Sequence, residues 1–204
     1  MTPTAARAFW LALVDNAARI LVEADDLFPS PRAQSLVVLA QEEVGKAVWV
    51  YEAFWDAWND GGETPIEVPE LRKQGRLHLA KLMKATDFAT ALVEVPDSSE
   101  PVEYELVKEH APELLVTYST GLAQSDNRAK QRGFYVDLDE DGSFTVPHEI
   151  DRPHLRSQIW EAAQMVKTLL DEDSLRASVA GQPVPGTKEV EARLAAVLAH
   201  DPDE

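Results

Sequence analysis

The stretch SPRAQSLVVLAQEEVGKAVWVYEAFWDAWNDGG, Ser30 to Gly62, decides how this chain folds. Ser30 is placed to cap a helix, with Pro31 at the first helical position, where a missing N–H breaks no intrahelical bond. Leu36, Ala40, Ala47, Val48, Tyr51, Phe54, Trp55 and Trp58 follow a three-four spacing until Gly61-Gly62 stops it. The spacing predicts one long helix with an apolar stripe. Gly45, in its middle, costs about 1 kcal/mol relative to Ala and points to a close approach by a neighbour.

Helical spacing extends on both sides. Phe9, Leu13, Ala17, Ile20, Leu21, Ala24, Leu27 and Phe28 predict a helix over 4–28, ended at Pro29. Leu71, Leu82, Ala85, Ala89 and Leu92 stripe a third helix over about 69–94. An acidic connection from Pro96 to Pro101 leads to a fourth over about 102–130, which Pro112 kinks or breaks. Phe134–Leu138 and Ser143–Val146 alternate like strands around Asp139-Glu140-Asp141-Gly142, a hairpin signal. A fifth helix is predicted over about 151–172, and 188–199 reads as a short amphipathic helix that packs loosely. The expected fold is all-α: an up-and-down helical bundle with a small β-hairpin insertion near 134–147. Its domain spans 1–175, followed by a Gly/Pro linker over 176–187 and a C-terminal short helix with acidic tail over 188–204.

Composition narrows the function. The 204 residues include 19 Lys and Arg against 36 Asp and Glu, a net charge of −17. Phosphate repels such a surface at long range, which argues against a generic nucleic-acid binder, DNA above all. The absence of cysteine removes disulfides, thiolate metal sites and a cysteine nucleophile. No apolar run is long enough for a membrane helix, and the first twenty residues make a poor secretory segment, so a cytoplasmic location and no membrane partner are expected. The bases are clustered, however. Arg72, Lys73, Arg76, Lys81 and Lys84 share a stretch without an acid, together with His78, and Arg128, Lys130 and Arg132 form a second group. If the two segments meet in space, they make one basic patch on an acidic body; otherwise they are two solvated helix faces.

Polar residues on apolar stripes are the informative ones. Asn16 lies on the stripe of the first helix, facing inward or at its edge. Glu43 continues Leu36 and Ala40 towards Ala47, so its carboxylate needs a partner or a cleft. Glu42 and Lys46, four apart, read as a surface pair. His78 lies between Leu71 and Leu82 on the third helix, as a packed core histidine or a proton-transfer group. No metal site is expected. Asp137, Asp139, Asp141 and Gly142 match the first half of a calcium loop, but His148 stands where its bidentate Glu should be, and a hairpin turn is the favoured reading. No Glu-x-x-His pair exists for a di-iron bundle, and no phosphate-cradling glycine loop is found.

Four segments in order resemble one family. Arg32 to Ala47, a small-residue helix containing Glu42-Glu43-Val44-Gly45-Lys46, resembles the hallmark of AbiV-type abortive infection proteins. Asn16-Ala17 ahead of Asp25-Asp26-Leu27, and His78-Leu79-Ala80-Lys81-Leu82, are similar to further family segments. Asn127 to Asp137, with Lys130, Gly133, Tyr135, Val136 and Asp137, resembles the family's Lys, Gly and Tyr-Val-Asp pattern and is followed by Asp-Gly and Pro147. The resemblance implies a HEPN-like helical bundle, a homodimer, no cofactor, a bacterial antiphage role and activation by a phage-encoded protein. It also implies RNA as a target, since many HEPN proteins are metal-independent endoribonucleases.

Those ribonucleases carry Arg, a short spacer and His, the Arg stabilising phosphate charge and the His moving the proton of the 2′-hydroxyl. Seven residues after Arg128 stands Tyr135 instead, so the motif lacks its usual His. The spacing recurs at Arg193 and His200, in the tail, as a coincidence. The catalytic candidates are therefore Arg128, His78 and Tyr135, with Asn16, Glu42, Glu43, Lys46, Lys81, Asn127, Lys130 and Asp137 as binding or positioning residues. Two function classes follow: an RNA-directed effector, or a non-catalytic protein- or RNA-binding module of the same fold.

Overall fold

A computed structural model describes residues 1–93, 112–138, 142–147, 154–183 and 186–202. Ser30 caps the central helix, its hydroxyl accepting from the Arg32 N–H, with Pro31 at the first position. That helix, α2 (Pro31–Asp60), runs thirty residues and ends at Gly61 in a left-handed conformation (φ 67°), which suits glycine. It packs against α1 (Pro3–Asp26), and its neighbours are α3 (Pro69–Lys73), α4 (His78–Val93) and α5 (Pro112–Phe134). A two-stranded ribbon follows, β1 (Asp137–Leu138) paired antiparallel with β2 (Phe144–Thr145) in the register Asp137–Thr145 and Leu138–Phe144. The helices α6 (Leu155–Val179) and α7 (Thr187–Leu198) complete an all-α bundle.

The core has two parts that meet along α2. On one side Trp10, Leu21, Phe54, Ile159, Leu169 and Leu170 anchor a large core shared mainly by α1, α2, α6 and α7 and joined by Ala85 of α4. On the other, Val38, Leu82 and Ala123 form a small one between α2, α4 and α5, backed by Leu79 and Met83. Because α2 is covered on both sides, its buried residues run around the helix, from Val37 and Val38 to Val44 and Val50. A helix apolar all round is an interior helix rather than an amphipathic one.

The structure corrects several expectations. The buried face of α1 runs Ala6, Trp10, Leu13, Val14, Ala17, Ala18 and Leu21, leaving Phe9 and Asn16 exposed. The third predicted helix is broken in two: Gln74 to Leu77 turn the chain, which makes His78 the first residue of α4. The helical pattern of α5 runs on through Phe134, so the strands shrink to two residues each. The fifth helix extends to Val179, and only about seven residues separate it from α7. That last helix is not loosely held, since Val190, Leu194 and Val197 are buried in the large core. It is also tied down by Arg193 on Asp15 (3.0 Å) and His200 on Asp25 (3.2 Å). The acidic connection at 96–101, the start of the fourth predicted helix and the Asp139–Asp141 part of the turn lie outside the described residues.

Candidate functional site

Two glycines set the geometry around α2. A Cβ on Gly45 would lie 2.1 Å from the Lys81 carbonyl oxygen, so α4 crosses α2 backbone against backbone at that point. A Cβ on Gly133 would lie 1.9 Å from Ser35 Oγ and 2.7 Å from the Pro31 carbonyl, so the end of α5 presses on the start of α2 just as closely. The Ser35 hydroxyl donates to the Lys130 carbonyl across this second contact (2.8 Å). Both approaches aim side chains at the same place, the carboxylate of Glu42 between them.

Glu42 is only 3% exposed and holds three bases. Its Oε2 accepts from Lys81 Nζ at 2.6 Å and its Oε1 from Lys130 Nζ at 2.7 Å. His78 Nδ1 lies 2.8 Å from both carboxylate oxygens. Burial alone would raise the Glu42 carboxyl, but hydrogen bonds from Lys130, Lys81 and His78 outweigh it and hold the group below the usual carboxylate range. Lys81 is itself 7% exposed, whereas the His78 side chain is 54% exposed. The three bases therefore reach from a buried carboxylate to the surface.

The contacts favour one tautomer of the neutral His78 ring. A bare Nδ1 would place a lone pair 2.8 Å from two anionic oxygens, with only Lys130 Nζ at 3.1 Å to offset the repulsion. With hydrogen on Nδ1, the imidazole donates to Glu42, and Lys130 directs one of its three N–H groups at Oε1. Nε2 is then the bare, basic nitrogen. A carboxylate fixing one imidazole nitrogen so that the other can exchange protons is an arrangement suited to general acid–base work. Two ammonium groups against one carboxylate leave one surplus positive charge next to the imidazole, with Lys130 Nζ 3.1 Å from Nδ1, which favours an anionic substrate.

The two basic segments of the sequence thus meet at Lys81 and Lys130, although Lys84 is paired with Glu52 (2.6 Å) and Arg72 with Glu67 (3.3 Å). The expected roles of Glu42 and Glu43 are exchanged. Glu43 is the half-buried partner of Lys46 (2.6 Å), while Glu42 takes the interior position. Arg128 is exposed and stands two residues before Lys130, about 200° around α5, so it faces away from the cluster. Tyr135 is 65% exposed and touches the Phe134 ring edge-on. Neither contacts His78 among the described residues. Asn127, one turn before Lys130, is half-buried, and its Oδ1 is buried with no hydrogen-bond partner among them. Asp126 is half-buried beside it, and burial pushes its carboxyl up. Asp137 pairs through its backbone in β1. No group of three or more His, Asp or Glu suited to a metal ion occurs among the described residues. Likewise, no helix among them is long and apolar enough to cross a membrane.

A second charged cluster had no counterpart in the sequence reading. Asp173 on α6 is fully buried and accepts a two-pronged contact from Arg7 on α1, both bonds at 2.6 Å. Arg176 adds Nε at 3.1 Å and extends Nη1 to Asn59 and Gln182 at 3.3 and 3.5 Å. The stripe Ala162, Val166, Leu169, Leu170 passes directly into Asp173 and Arg176, a signal hidden by ending that helix at 172.

Compared with known proteins, residues 5–168 match the model of the HEPN family described as AbiV. No curated protein and no solved structure matches the chain.

Proposed function

Because this chain belongs to the AbiV-type HEPN family, we propose that it is an abortive-infection effector that acts on RNA from the Glu42 cluster and is switched by a phage-encoded protein. The observation that carries this reading is the exposed imidazole of His78, fixed at Nδ1 by a buried carboxylate and flanked by Lys81 and Lys130. In the reaction, His78 Nε2 takes the proton of a ribose 2′-hydroxyl, and the 2′-oxygen attacks the adjacent phosphorus. The bond to the 5′-oxygen breaks, that oxygen leaves as a hydroxyl after taking a proton from solvent water, and a 2′,3′-cyclic phosphate remains. The surplus ammonium charge offsets the charge that builds on the phosphate. Glu42 positions His78 and does not touch the RNA. No metal is required by this set of groups. A homodimer fits the exposed apolar side chains of Val136, Leu138 and Phe144, which a second copy would cover.

A second reading, a non-catalytic protein- or RNA-binding module, is favoured by one observation: Arg128 and Tyr135, which the family pattern would use, do not join His78. The test is incubation of the pure protein with total bacterial RNA and tRNA in EDTA, with and without a lysate of phage-infected cells. His78→Ala and Arg128→Ala serve as controls. The effector reading predicts cleavage that leaves cyclic phosphate ends and is lost in His78→Ala. No cleavage under either condition, or cleavage that His78→Ala retains, contradicts it and favours the binding module.

A further inference from the structure

A cavity of about 430 Å³ opens between the start of α1, the end of α2 and the end of α6. Trp58, on its wall, lies sixteen residues beyond Glu42 on the same helix, about 24 Å along the axis, so this is a different place from the His78 cluster. Its volume is within the range of small-molecule sites, roughly 300–1,000 Å³. The walls are mainly apolar, formed by Leu11, Ala57 and the Trp58 indole, whose N–H is already used on the Pro3 carbonyl (3.0 Å). The positive groups of the wall are two guanidiniums, Arg7 and Arg176.

The charges of these two groups do not cancel. Among the described residues both pair with a single carboxylate, Asp173, which lies behind them at 0% exposure and offsets only one of the two charges. Arg176 is buried to 5% exposure, and among the described residues its Nη1 makes long contacts to the neutral amide oxygens of Asn59 and Gln182. Gln182 also lines the cavity. Arg7 lies over the rings of Trp10 and Trp58, 4.7 and 5.4 Å from their centroids, which fixes its plane but adds no negative charge. The one carboxylate lining the cavity among the described residues is Glu63, exposed and engaged with the Thr4 hydroxyl. A surplus positive charge in a largely apolar recess is costly unless an anion accompanies it. The chain's overall charge of −17 does not decide the matter, because exposed charges are screened over roughly 8 Å at physiological salt and these guanidiniums are local.

We infer that this cavity binds a small organic anion, an apolar or aromatic body carrying one carboxylate or phosphate. The oxyanion displaces Gln182 and Asn59 from Arg176 Nη1, exchanging two long neutral contacts for charge-assisted ones. The body lies against Trp58 and Leu11. The proposal is independent of any activity at His78.

The experiment uses the full chain with benzoate and phenyl phosphate as probes, read by tryptophan emission and by thermal shift. Benzyl alcohol and inorganic phosphate are the neutral and bodiless comparisons. The expected result is saturable binding of both aromatic anions with a rise in Tm. Benzyl alcohol and inorganic phosphate should each bind at least roughly tenfold more weakly. Two variants block the mouth without touching Arg7, Asp173 or Arg176. Ala8→Phe adds a ring at an exposed lining position, and Gly62→Leu adds a side chain where a Cβ meets nothing within 4 Å. Each should weaken the anions roughly tenfold or more while the unliganded Tm is kept. If neither anion binds saturably, or benzyl alcohol or inorganic phosphate binds equally well, the proposal is wrong. Binding that both blocking variants leave unchanged also overturns it, because the ligand then lies elsewhere.

Discussion

Asp173 and Glu42 are both buried carboxylates that gather more positive charge than they neutralise, yet they are held in opposite ways. Asp173 is gripped by two planar guanidinium forks, with Arg7 and Arg176 lying over tryptophan rings in the large core. A guanidinium fork is suited to holding a carboxylate rather than to moving protons, so this cluster can bind or brace. Glu42 is gripped by two flexible ammonium stems and an imidazole that reaches solvent, at the small core. Its geometry depends on two backbone-to-backbone contacts at Gly45 and Gly133 rather than on stacked rings. The contrast teaches where chemistry belongs in this fold: the braced cluster fixes the bundle, and the looser one exposes a titratable group.

The sharpest way to break the comparison is Asp173→Asn. It strands two buried guanidiniums, and denaturation should show a loss of about 3–5 kcal/mol. A loss under about 1 kcal/mol would mean that the arginines find other partners and that the cluster braces little. Glu42→Gln should cost less, about 2 kcal/mol, because the half-exposed His78 can turn to water and the amide oxygen still accepts from one of the two lysines. This difference has a pH signature. The Glu42 carboxyl lies below its ordinary value of 4.5, so the ionised group's contribution is fully present above that value. It is lost as pH falls through the lower folded value, and stability curves of wild type and Glu42→Gln should converge there.

Gly45→Ala sharpens the comparison from the backbone side. A methyl group 2.1 Å from the Lys81 carbonyl must push α4 away, at about 1–3 kcal/mol. Because Lys81 and His78 ride on α4, the same variant should also lose function, which a stability change in the large core of similar size would not cause. The smallest stability effect belongs to His78→Ala. With its side chain half in water, the change should be within about 0.5 kcal/mol by thermal denaturation, while the RNA cleavage proposed above is lost.

Much of the fold was legible in the residues, for physical reasons that also explain the failures. Ser30-Pro31 and Gly61-Gly62 mark the ends of α2 because capping and left-handed geometry depend on residue type alone. Four of the residues named as site candidates, Glu42, His78, Lys81 and Lys130, come together in space. The assignment of Glu43 rather than Glu42 to the interior went wrong because α2 is buried around its circumference, and a single-stripe reading has no way to rank faces on such a helix. Valines at 37, 38, 44, 48 and 50 carried that signal. His78 was misplaced in mid-helix because the break at 74–77 rests on a turn with little apolar pattern to mark it. The Asp173 cluster went unread because Arg7 and Arg176 lie 169 positions apart in sequence, and only the packing of α1 on α6 unites them.

Proton transfer at the Glu42 cluster turns on which nitrogen of His78 is bare. Long-range nitrogen–proton NMR correlation of the His78 ring, at a pH where the imidazole is neutral, reads this directly. The structure predicts hydrogen on Nδ1 and a bare Nε2, with that preference lost in Glu42→Gln. Hydrogen on Nε2 in the wild type, with Nδ1 accepting from Lys130, would leave no base facing solvent and would contradict the reading of this cluster as a site of proton transfer.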